Sequence, residues 1–199
     1  EGGNYVHPYL SINGSSLAFS HENNIFIIDM NSLAVKVYEH SFNTENKVFW
    51  VNDKIIFKDY NSTGSGIHEL NTSLMTASSI GDFNLSGDDE IGIGGVLGGS
   101  LIFSAYNGSA NQVYSYNGQS TATLVTGGSS LKIEASDYSM SSDGVNLYFP
   151  ASNTNETELY VYNGIGVSLA ADNNSVNSSY PHGMFFAGNT LFYFAEDVG

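Results

Sequence analysis

Carboxylates are the most abundant groups able to do chemistry in this chain. Twenty Asp and Glu stand against five Lys and Arg in 199 residues, a formal charge of −15. Asp82, Asp88, Asp89 and Glu90 crowd into one segment, and clustered carboxylate oxygens could hold Ca²⁺. The spacing lacks the alternate-residue ladder of an EF-hand loop, so a solvated acidic loop is the expectation and calcium its rival. No other cofactor is implied. Asp59, Glu69, Asp137 and Glu158 are candidates by type alone for the paired carboxylates of a glycoside hydrolase. His7, His21, His40, His68 and His182 form no ligand spacing such as His-Glu-x-x-His. Absent cysteine removes thiolate metal sites and thiol nucleophiles. No Gly-x-Ser-x-Gly occurs; the nearest string, Thr63-Gly64-Ser65-Gly66, reads as a loop. Ile91-Gly92-Ile93-Gly94-Gly95 lacks the lysine and the following helix of a phosphate loop. The chain therefore reads as a non-enzyme with no catalytic residue assigned, and a hydrolase is the rival reading.

Asparagine offers a different chemistry. The sequon Asn-x-Ser/Thr begins at Asn13, Asn61, Asn71, Asn84, Asn107, Asn155, Asn173 and Asn177. With 22 Asn and 38 Ser plus Thr, random placement gives about four. The expectation is a glycoprotein that has passed through a secretory route; the rival is Asn and Ser chosen for turns. The charge excludes some partners. Phosphate backbones and anionic lipid surfaces repel such a chain. No stretch reaches the ~18–20 continuous apolar residues of a membrane span. Charged residues are only 13%, so the polar surface is mostly neutral.

The elements that must position these residues repeat. An aliphatic residue, a spacer and an aromatic follow a turn signal at Leu17-Ala18-Phe19, Ile55-Ile56-Phe57, Leu101-Ile102-Phe103, Leu147-Tyr148-Phe149 and Leu191-Phe192-Tyr193. A short alternating run then closes on Asp29, Asn71, Asn117 and Asn163 in the first four units. Each unit reads as four strands, A to D, rich in β-branched and aromatic residues and separated by Gly, Asn and Ser. In the third unit these are Ile91–Leu97, Ser100–Tyr106, Gln112–Tyr116 and Thr121–Val125. A four-stranded repeat of ~40–45 residues is the period of a β-propeller blade. The expected fold is all-β: complete blades at about 4–41, 45–81, 88–127 and 132–172, and an A/B strand pair of a fifth at 180–199. The whole is expected to be one domain, a propeller or part of a larger one. Phe19, Phe57, Phe103 and Phe149 are expected to fill the space between blades, and Trp50 to be core. Tyr60, Tyr106 and Tyr114 could stack on sugars or peptides, with packing between blades as the plainer role. Asn61, Asn107 and Asn155 fall in B–C loops, and Asn84, Asn173 and Asn177 between strand D and the next A. In a propeller both loop sets lie on one face, with Asn13 and Asn71 on the other.

The first unit runs His7-Pro8, then Ser11-Ile12-Asn13-Gly14, Leu17-Ala18-Phe19 and Ile25-Phe26-Ile27-Ile28-Asp29. It resembles the TolB-type, WD40-like propeller repeat. The fourth unit repeats the pattern with Ser141-Ser142-Asp143-Gly144, Leu147-Tyr148-Phe149 and Leu159-Tyr160-Val161-Tyr162-Asn163, and the fifth retains Pro181-His182 and Gly188-Asn189. The turn proline of that family is replaced by Ile12 and Ser142, and unit two has little of the turn motif. The resemblance implies a blade type found in bacterial and archaeal surface and periplasmic proteins and in peptidase propellers; fold alone does not fix function.

Together these features lead to an extracellular or cell-surface location and a structural or adhesive role, as a building block of a surface layer, filament or appendage. The expected partners are further copies, in an oligomer or polymer joined through blade edges, or other surface proteins and glycans, with no nucleic acid and no membrane span. A carbohydrate-active or peptidase-associated propeller and a periplasmic accessory scaffold are the alternatives.

Overall fold

The computed structural model describes residues 10–39, 43–61, 64–85, 87–119, 121–134, 140–153 and 156–196, excepting the side chains of 43–46 and 61. His7, Pro8, His40, Asp137 and Asn155 lie outside these residues, as does the side chain of Asn61. The chain divides into two compact units, Glu1–Asp82 and Phe83–Gly199. All regular structure among the described residues is strand.

The first unit holds two four-stranded antiparallel sheets. One consists of β1 (Ser11–Asn13), β2 (Ser16–His21), β3 (Asn24–Asp29) and β4 (Val35–Glu39). The other consists of β5 (Asn43–Val51), β6 (Lys54–Asn61), β7 (Gly64–Asn71) and β8 (Thr76–Ser79). In the second unit β9 (Gly92–Leu97), β10 (Ser100–Tyr106), β11 (Asn111–Tyr116) and β12 (Thr123–Ser129) form a third sheet. A fourth joins β13 (Lys132–Ile133) and β14 (Ser141–Ser142), both paired with β15 (Leu147–Ser152), to β16 (Thr157–Tyr162) and β17 (Val167–Ala171). A hairpin of β18 (His182–Ala187) and β19 (Thr190–Phe194) follows. Each complete sheet is thus an up-and-down blade, with strands adjacent in space in the order they leave the chain.

Local chemistry explains the turns. A two-residue link from β9 to β10 needs two left-handed residues, and Gly98 and Gly99 supply φ of 57° and 77°. The residues closing the third strand of each blade cap the next turn. The Oδ1 of Asp29 accepts from the N–H groups of Asn31 and Ser32, that of Asn71 from Ser73 and Leu74, and that of Asn163 from Ile165 and Gly166. Asn117 accepts from Gln119. The second sequence marker is therefore an Asx turn.

Packing follows the period of two along each strand. Ile55 and Phe57, two apart on β6, lie in one core with Val48 and Leu70 of their own blade and Ala18, Ile25 and Ile27 of the first. In the second unit Phe149 of β15 lies in a core with Ile102 and Val113 of the third blade and Ile133, Leu147 and Tyr160 of its own. Within each unit the repeated aromatic of the later blade, Phe57 or Phe149, thus packs on the face of the blade before it. Phe57, Phe103 and Phe149 are fully buried, each contributing about 1.5–3 kcal/mol of apolar transfer. Phe19 differs: it is half-buried and stacks on Phe26 at 5.0 Å. Trp50 is half-buried against the first unit's core and donates through Nε1 to the Ser11 carbonyl.

Some boundaries differ from the sequence reading. The fourth strand of the third blade runs to Ser129 instead of stopping at Val125. A Cβ on Gly127 would lie 2.2 Å from the Val167 carbonyl oxygen, and Thr126 forms a parallel bridge with Gly166. Glycine here permits close backbone approach between two blades instead of ending a strand. Gly64-Ser65-Gly66 belongs to β7, not to a loop.

Candidate functional site

The second unit contains a cavity of about 440 Å³ lined by Glu134, Pro150, Thr157, Tyr180, Pro181 and His182. Each wall is fixed by strand ends of the fourth blade or by the segment leading into the last hairpin. Glu134 follows β13; its N–H donates to the Pro150 carbonyl and its carboxylate accepts from the Ser152 hydroxyl at 2.8 Å. Thr157 begins β16. Its N–H donates to Ser178 Oγ, and its carbonyl accepts from the N–H groups of Ser179 and Tyr180. Tyr180 has φ of 44°, a left-handed conformation that costs a non-glycine residue about 1–3 kcal/mol.

Glu158, next to Thr157, holds that strained segment in place. It is buried, and its two oxygens accept from Ser179 N at 2.9 Å and Ser179 Oγ at 2.5 Å. His182 Nδ1 lies 2.9 Å from the Tyr180 carbonyl oxygen. A carbonyl can only accept, so Nδ1 carries the proton and Nε2 of the neutral ring is an acceptor. The imidazole also stacks on Phe194 at 5.7 Å. Of these lining residues the sequence singled out Pro181 and His182 as repeat markers and Thr157 only as the last residue of the sequon at Asn155; Glu134 and Tyr180 carry no motif. Pro150 inside an otherwise regular strand is the one local signal of something unusual.

The acidic segment is exposed at Asp82, Asp88 and Glu90, as its composition leads one to expect, and departs from a purely solvated loop at Asp89. Asp89 is buried and its Oδ1 accepts from Phe83 N and Asn84 N, while Asp88 Oδ1 accepts from Glu90 N. Glu90 pairs with Lys132 at 3.3 Å. Burial pushes the Tyr114 hydroxyl above its ordinary pKa, and the Asp89 charge adds to this. Among the described residues no group of three or more His, Asp or Glu side chains is placed to hold a metal ion. The candidate hydrolase acids are held in separate contacts. His68 Nε2 lies 3.0 Å from the buried Asp59, and Lys54 pairs with Glu69 at 2.7 Å. Tyr60 is exposed and carries Lys58 Nζ 4.6 Å from its ring centre.

The sequons fall in distinct environments. Asn13, Asn107, Asn173 and Asn177 are exposed and Asn71 is half-buried. Asn107 Oδ1 caps its turn by accepting from Ser109 N and Ala110 N. Asn13 Nδ2 donates to the Asn52 carbonyl, and Asn173 Nδ2 to the Tyr193 hydroxyl. Asn84 is buried, with Nδ2 donating to the Asp88 carbonyl at 3.0 Å. A sugar on that nitrogen would have to displace this bond and open the loop.

Up-and-down four-stranded blades, packed in pairs within each unit with a buried aromatic between the two, are the blades of a β-propeller. Comparison with solved structures makes the type specific: the fold is TolB-like. TolB from Acinetobacter baumannii aligns with a TM-score of 0.56 at 16% identity, over 88% of this chain and 45% of that one. The protein assigned as TolB in Agrobacterium tumefaciens aligns with a TM-score of 0.58 at 17% identity, over 96% of this chain and 69% of that one. An acylaminoacyl peptidase from Pyrococcus horikoshii aligns at 0.53 and 14% identity, over 87% of this chain and 27% of that one. The chain thus spans less than half of the Acinetobacter protein. No protein-family model matches the sequence, and no curated protein sequence does.

Proposed function

We propose that this chain is a non-catalytic assembly module of the cell envelope or cell exterior, contributing to a surface layer, filament or appendage through protein–protein contacts at its blade edges. The observation that carries the reading is the aromatic face of the last hairpin. Phe185 and Phe192 are a cross-strand pair, stacked at 5.4 Å, yet 54% and 47% exposed. The positions equivalent to Phe192 in the first three blades are Ala18, Ile56 and Ile102, all fully buried. Among the described residues β19 pairs with β18 alone, whereas β2, β6, β10 and β15 each carry a third strand on their far edge. An aromatic face of this kind is suited to packing against a strand or blade supplied by a neighbouring chain. The partner is a second copy of the chain, and a contact that does not close would propagate into a filament. The sequons and the neutral polar surface support a location outside the cytoplasm.

Sedimentation velocity across a wide concentration range tests this. The wild-type chain is expected to self-associate, and the double variant Phe185→Ser/Phe192→Ser to remain monomeric with unchanged circular dichroism. A wild-type chain monomeric throughout, or a variant that associates equally, would refute the proposal.

A further inference from the structure

We infer that the Glu134–Tyr180–His182 cavity is a binding site for an alkyl ammonium or guanidinium group. This goes beyond the assembly reading and does not depend on it. The donors and acceptors that the described residues bring to the cavity are unequal. Pro150 and Pro181 have no N–H to offer. The N–H groups of Glu134, Thr157 and Tyr180 are already given to the Pro150 carbonyl, Ser178 Oγ and the Thr157 carbonyl. His182 pairs with Phe194 in the hairpin ladder. On the acceptor side stand the Glu134 carboxylate, which spends one hydrogen bond on Ser152, and the His182 ring with Nδ1 committed to the Tyr180 carbonyl. Among the described residues, apart from the hydroxyls of Thr157 and Tyr180, which can also accept, the lining asks its ligand for protons.

Charge narrows the class further. Glu134 brings a negative charge to the cavity, and the chain as a whole carries −15, a field that draws cations. Tyr180 is 54% exposed at the cavity wall, and its ring face suits a cation held against it. The two proline rings and the Tyr180 ring provide apolar surface for an alkyl stem. The volume lies in the range of about 300–1,000 Å³ usual for small-ligand sites. Tyr180 adopts its left-handed φ although glycine would adopt it without strain, which is reasonable if its ring has a task there.

The ligand chemistry could come from a free amine or from a basic side chain of a partner peptide, and the test separates the two. Titrations of the full chain are followed by amide chemical shifts at constant ionic strength. The probes are n-butylammonium, neutral n-butanol and a short lysine-containing peptide. Saturable shifts at Glu134, Tyr180 and His182 are expected with n-butylammonium at millimolar concentration and not with n-butanol. Tighter binding of the peptide assigns the site to a protein partner, and tighter binding of n-butylammonium to a free amine. Glu134→Gln keeps an oxygen for Ser152 and removes the charge; it should weaken binding about tenfold or more. Tyr180→Gly removes the ring while relaxing the backbone, and should weaken binding without loss of thermal stability. Equal binding of n-butanol, unchanged affinity in Glu134→Gln, or no saturation by either cation up to about 50 mM would overturn the assignment.

Discussion

Phe57 and Phe19 occupy the same position in successive repeats, yet their truncations should differ sharply. Phe57 is fully enclosed, with Ile25 and Ile27 of one blade and Ile55 and Leu70 of its own in the same core, and the rings of Tyr38 and His68 at 6.4 and 5.5 Å. Phe57→Ala removes a buried ring and leaves a cavity between two sheets that cannot collapse independently, a loss of about 3–5 kcal/mol. Phe19 is half-buried and stacks on Phe26. Phe19→Ala forfeits roughly half a ring of transfer free energy and leaves no enclosed void, about 1–2 kcal/mol. Trp50, the single tryptophan, packs against the same core and reports both variants by fluorescence during urea unfolding. The expected difference is about 2–3 kcal/mol at similar m. Equal losses, or a loss below about 1 kcal/mol for Phe57→Ala, would refute the placement of Phe57 in the core shared by the first two blades.

Other consequences are equally direct. Glu158→Gln places an amide donor against Ser179, which donates to the carboxylate through both N–H and hydroxyl; about 1–3 kcal/mol should be lost, read by thermal melting, with faster hydrogen exchange at Ser179 and Tyr180. Gly92→Ala would put a Cβ 2.2 Å from the Ile133 carbonyl oxygen and 2.8 Å from Ser104 Oγ, so it should destabilise by about 2 kcal/mol or more, whereas Gly98→Ala meets open space and should lose about 1 kcal/mol from its positive φ alone; paired denaturation curves decide. The Asn146 side-chain amide, then the N–H groups of Asn146 and Val145, hold the Asp143 carboxyl below its ordinary pKa. Since the folded value is depressed, the stabilisation is present above the unfolded value and is lost as pH falls through the folded one. Carboxyl NMR should place the Asp143 midpoint below that of an exposed reference Asp, and Asn146→Ala should raise it.

Much of the architecture was readable in the chain because the forces that set it are local. Asp29, Asn71, Asn117 and Asn163 cap their turns through N–H groups two or three residues on, and the left-handed Gly98 and Gly99 close their hairpin without help from elsewhere. Alternation along a strand fixes which residues share a face, so blade number, strand order and the repeated aromatic followed from spacing. What needed the tertiary structure is everything decided by residues far apart in sequence. The buried state of Asp89, Asn84 and Glu158, the half-exposure of Phe19 and Phe192, and the cavity joining Glu134 to His182 depend on which blade faces which. A carboxylate has the same sequence signature whether water or a backbone N–H satisfies it, and only the packed neighbours determine which does.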